Sequence, residues 1–132
     1  MPKTDENLKI SFANECQTYI EYLAYAQRAM DEGMTEVAQL FREAAGAEVV
    51  HALTHLKTMK VVGTTEENLK EAAESEGLEI VSIYPKFIEE AEAEGRYDAA
   101  ESFRLAYERE KHHREMFRTA LKKMVKKDGQ TD

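Results

Sequence analysis

Four stretches of this sequence carry apolar residues every three or four positions, and in each of them glutamate interrupts the apolar stripe. The first reads Phe12, Glu15, Tyr19, Tyr22, Ala26. The second reads Phe41, Ala45, Glu48, Ala52, with His51 beside Glu48 on the same face. The third is Leu69, Ala72, Glu76, Glu79, Ile83, Phe87, and the fourth Phe103, Ala106, Glu110, His113, Phe117, Leu121. This spacing is that of amphipathic helices turned toward a common core. A chain of 132 residues with 2 Pro, 6 Gly and no Trp fits the same class, because its dominant acid, Glu, favours helix. A single domain over 1–132 is long enough to bury one continuous core.

Helix ends can be placed from local chemistry. Gly33 and Gly95 suit the left-handed position that follows a helix. Thr35 and Asp98 are expected as N-caps, Asp98 and Glu101 have capping-box spacing, and so do Thr64 and Glu67. These signals predict helices over 4–32, 35–60, 65–94 and 98–127, with a frayed polar tail over 126–132. Pro85 falls inside the third helix and should bend it. An offset of 62 superposes Tyr22 on Tyr84, Gly33 on Gly95, Phe41 on Phe103, Glu48 on Glu110 and His51 on His113. The sequence thus reads as a repeated helical hairpin with an approximate internal twofold.

Inward glutamates need compensation. A lone charge removed from water costs several kcal/mol, against a total domain stability of roughly 5–15 kcal/mol. The stripes themselves contain no Lys or Arg to neutralise them. Residues three apart on a helix are neighbours, so Glu48 with His51 and Glu110 with His113 each aim an oxygen and a nitrogen at one point. Two cations among Glu15, Glu48, Glu76, Glu79 and Glu110, with the two imidazoles, would balance the charge. Helical bundles with di-metal carboxylate centres use this donor set.

Other classes are disfavoured. With 18 Lys+Arg against 26 Asp+Glu and net charge -8, neither nucleic acid nor an anionic membrane is an expected partner. No apolar run approaches the roughly 20 residues that span a bilayer. The N-terminus is polar, and the one cysteine, Cys16, can form no internal disulfide, so a reducing cytoplasm is expected.

The chain resembles the di-iron domain of rubrerythrin from Asn7 to about Met124. The resemblance is carried by Glu15 with Tyr22, by Glu48 to His51, by Glu76 and Glu79 followed by Ile83, Tyr84 and Pro85, and by Glu110 to His113. It implies a ferritin-like antiparallel four-helix bundle, closed within one chain or domain-swapped between two in a homodimer. It implies two irons, with Mn or Zn as substitutes: Glu48 and Glu110 bridging, Glu15 terminal on the first iron, Glu76 and His113 terminal on the second. Glu79 and His51 would alternate on the first iron, and Tyr22 and Tyr84 would hydrogen-bond carboxylate ligands. The implied activity is reduction of hydrogen peroxide to water. Full-length rubrerythrins add a rubredoxin domain with four cysteines, which this sequence does not carry, so an external donor such as rubredoxin is expected. A ferritin-like oxidase using dioxygen is the alternative, and a metal-free helical interaction module the second. Gly77, within the Glu76–Glu79 turn, is out of place in a helix by about 1 kcal/mol relative to Ala.

Overall fold

A computed structural model of the protein describes residues 2–129, and they are helical nearly throughout. Helices α1 (Lys3–Asp31) and α2 (Thr35–Met59) form one compact unit. Helices α3 (Thr65–Leu78), α4 (Tyr84–Ala93) and α5 (Tyr97–Gly129) form a second. A π-helical turn, Glu79–Ile83, joins α3 to α4 without leaving the helical path. Each unit is a helical hairpin, as the repeat implied.

Both hairpin turns are built alike. Gly33 and Gly95 have φ of +74° and +71°, a region open to glycine because it has no Cβ. Met34 N–H donates to Ala29 and Gly33 N–H to Met30, while Arg96 N–H donates to Ala91 and Gly95 N–H to Glu92. These paired bonds satisfy the last carbonyls of α1 and α4. The N-caps differ from expectation. Met34, not Thr35, precedes α2, and it makes no side-chain cap. Asp98 lies inside α5, its carboxylate taken by the Ala99 N–H and the Arg96 guanidinium. Thr64 and Glu67 complete a capping box, and Asn68 adds two hydrogen bonds to Gly63. The expected tail is helical through Gly129, with residues 130–132 outside the described residues.

Alanine lines the seams. Ala26, Ala29, Ala38, Ala45 and Ala52 are buried between α1 and α2, and Ala73, Ala91 and Ala100 in the second hairpin. Small side chains let helix backbones approach closely, and aromatics fill in beside them. Tyr22 and Tyr25 meet Phe41 at ring distances of 5.8 and 5.5 Å, and Tyr84 and Phe87 meet Phe103 at 6.3 and 5.4 Å. The same trio recurs at the same offset. Among the described residues no large side chain is fully buried.

The π turn lies just ahead of Pro85, the position expected to bend the helix. Proline has no N–H for the carbonyl four residues back and its ring crowds that carbonyl. The chain widens just ahead of it, and the Tyr84 N–H donates to the Glu79 carbonyl, five residues away. A π turn holds one residue more than the α turn it replaces, and that residue is visible in the repeat. Before it the register is 61: Thr4, Asp5, Glu6, Asn7, Leu8 and Lys9 match Thr65, Glu66, Glu67, Asn68, Leu69 and Lys70. Glu15 then matches Glu76, and the register becomes 62 by Tyr22 and Tyr84.

Candidate metal centre

Each hairpin gathers one Glu–Glu–His cluster. In the first, Glu15 from α1 meets Glu48 and His51 from α2, with ligating atoms within 4.8 Å of one another. His51 Nδ1 stands 3.9 Å from Glu15 Oε1 and 3.9 Å from Glu48 Oε2. In the second, Glu76 from α3 meets Glu110 and His113 from α5, and His113 Nδ1 is 3.6 Å from Glu76 Oε1. The helical three-residue step puts Glu and His of α2, and of α5, on one edge, and the facing helix supplies the second carboxylate. Six of the seven expected ligands fall into these clusters. The seventh, Glu79, sits at the start of the π turn and belongs to neither.

The carboxylates lean inward. Glu15, Glu48 and Glu76 side chains are 21%, 22% and 17% exposed. Glu15 Oε2 and Glu76 Oε2 are sealed from solvent without a hydrogen bond. Buried polar atoms in native proteins are rarely left unpartnered, and an unpaired carboxylate is the costliest kind. Hard oxygen donors with one imidazole suit Fe or Mn, and Zn can be held by the same atoms. The residues therefore fit a cation in each cluster.

Tyr22 and Tyr84 stack on aromatic neighbours of their own hairpins, and neither phenol has a hydrogen bond within its unit among the described residues. Gly77 has a use that offsets its poor helix propensity. A Cβ there would lie 3.0 Å from Arg114 Nε, so the missing side chain makes room for a guanidinium laid across α3. Arg114, outside the apolar stripes, thus brings a half-buried cation beside the second cluster, its Nε buried and unpartnered. His55 touches Glu15: its Nε2 lies 3.1 Å from Glu15 Oε2 and 3.1 Å from Ser11 Oγ. The signal was available, since Ser11 precedes Glu15 by one turn and His55 follows His51 by one turn.

Carboxylates and Glu-x-x-His pairs converging between hairpin helices define the ferritin-like class of all-α metal proteins. Comparison with known proteins is more specific. Residues 6–121 match the rubrerythrin family profile. Rubrerythrin-1 of Clostridium acetobutylicum is 33% identical, over 91% of this chain and 70% of its own length. Rubrerythrin of Clostridium perfringens is 33% identical, over 96% and 76%. A structure of nigerythrin in its fully reduced, all-ferrous state gives a TM-score of 0.47 at 27% identity, covering 95% of this chain and 69% of that one. The chain belongs to the rubrerythrin family, di-iron oxidoreductases of oxidative-stress defence. No helix among the described residues is long and apolar enough to cross a membrane.

Proposed function

We propose that this protein is a non-haem di-iron peroxidase, reducing hydrogen peroxide to water with electrons from an external donor such as rubredoxin. The observation that supports it most is the pair of Glu–Glu–His clusters, each with its ligating atoms within 4.8 Å of one another. On this reading the clusters are halves of one centre in a single bundle domain. Glu48 and Glu110 would be shared by the two metals, Glu15 would serve the first, and Glu76 and His113 the second. Glu79, at the start of the π turn, and His51 would be alternative ligands of the first metal. The iron pair, when bound, supplies two electrons to one O–O bond. The chain's part is to hold the donors at fixed spacing and bring the Tyr22 and Tyr84 phenols to the carboxylates as hydrogen-bond donors.

The linker bears on assembly. Only residues 60–64 separate α2 from α3, and at about 3.4 Å per residue they reach roughly 17 Å. Glu48 stands eleven residues before the end of α2 and Glu76 eleven after the start of α3, which is about 16 Å of helix each. If α2 and α3 run parallel, as the ferritin-like order requires, the linker must cover about 33 Å. It is too short. We therefore propose a homodimer in which each centre combines the first hairpin of one copy with the second hairpin of the other.

Rapid mixing of the di-ferrous protein with peroxide or dioxygen tests the activity. Oxidation by peroxide is expected to be much the faster. Faster oxidation by dioxygen replaces the peroxidase with a ferritin-like oxidase, and a purified protein that takes up no metal leaves a helical interaction module.

A further inference from the structure

We infer that His55 is a positioning residue for the first cluster, its ring nitrogen holding the outer oxygen of Glu15 so that the inner oxygen is left to the metal. The two oxygens of Glu15 face different ways. Oε1 looks toward His51 Nδ1 at 3.9 Å, inside the cluster, while Oε2 lies 3.1 Å from His55 Nε2 on the other side. His55 itself is not one of the clustered donors, so it stands behind the carboxylate instead of adding a third nitrogen. Its Nε2 is also 3.1 Å from Ser11 Oγ. The ring is turned toward the serine, and the approach to Glu15 is close without hydrogen-bond alignment. A small ring rotation lets a neutral imidazole share its N–H between the serine oxygen and the carboxylate, because a hydroxyl can accept as well as donate. Glu15 Oε2 has no hydrogen-bond partner among the described residues.

The repeat provides an internal control. In its two registers Glu15 matches Glu76 and His51 matches His113, so the clustered residues are kept. Ser11 matches Ala72 and His55 matches Phe117, so the polar pair is replaced, as a pair, by an apolar one. A hairpin of this design therefore packs without the pair, and its place beside Glu15 is specific to the first cluster. There it fixes Glu15 as a one-oxygen ligand, an anchor that stays in place while the other first-iron ligands exchange. Partners of this kind orient metal ligands and tune their basicity.

This inference rests on the proposed metal centre, and the test separates the two. The full-length apoprotein, His55→Phe, His55→Gln and Ser11→Ala are titrated with Co(II), read by visible absorption, and with Mn(II), read by paramagnetic resonance; thermal unfolding is recorded for each. His55→Phe should weaken one of the two metals by about 10–100-fold and alter its Co(II) spectrum, leaving the other unchanged. His55→Gln, which keeps an N–H donor, should restore most of that affinity, and Ser11→Ala should fall between; these two carry the test if the phenylalanine variant does not fold. Wild-type affinity and spectrum in His55→Phe would overturn the inference, as would equal loss of both metals with a lowered Tm in the Phe and Gln variants alike. A wild-type protein that binds neither metal removes the centre itself.

Discussion

The two hairpins hold the same three-residue cluster in different surroundings. In the first the cluster sits on unbroken α-helix, with His55 and Ser11 behind Glu15. In the second, α3 passes into the π turn, Glu79 appears with no counterpart, and the guanidinium of Arg114 lies over Gly77 beside Glu76. One cluster is backed by an imidazole and the other by a guanidinium. On the proposed reading, the extra carboxylate would come from the helix that departs from regular register.

The largest effect expected concerns whether the clusters act together. Glu48→Ala and Glu110→Ala each remove a proposed bridge, and metal analysis should show either change emptying both positions. The loss should exceed the roughly 10–100-fold that an outer partner costs. Independent clusters would instead keep one metal in each variant. Next is deletion of Val81, which returns the second hairpin to the register of the first. Pro85 then stands within regular helix, costing about 3 kcal/mol or more. Denaturant unfolding should show the loss, and unchanged stability would deny the π turn its structural role.

A smaller effect separates the two backings. Gly77→Ala alone should change stability by less than the about 1 kcal/mol that helix propensity offers, because Arg114 must move. In an Arg114→Ala background the full gain should appear in the same unfolding assay. Smallest is the cap of α3, where Thr64→Ala should cost about 1 kcal/mol. The Glu67 carboxyl is held below its usual range by the Thr64 N–H and hydroxyl. Its folded value is the lower one, so its contribution is present above the ordinary carboxylate range and is lost as pH falls through that lowered value. The Thr64→Ala deficit should therefore narrow in acid.

Much of this was legible in the sequence, and the misses have physical causes. Helix ends at Gly33 and Gly95 were readable because a positive φ after a helix strongly favours glycine. The clustered Glu and His were readable because three-residue spacing fixes which side chains share a helix face. The π turn was hidden, since periodicity assumes one register, although the change from 61 to 62 along the repeat records it. His55 and Arg114 escaped because their roles depend on a neighbouring helix: Ser11 and Glu15 for one, the bare backbone at Gly77 for the other. As N-caps Thr35 was misplaced by one residue and Asp98 by two, the ordinary tolerance of a helix boundary.

The most direct measurement is an anomalous-scattering map at the iron edge from crystals of the iron-loaded protein. Two peaks about 3.5–4 Å apart, flanked by Glu15, Glu48 and His51 on one side and Glu76, Glu110 and His113 on the other, are the predicted result. Isolated peaks on separate hairpins, or no iron at these carboxylates, would contradict it.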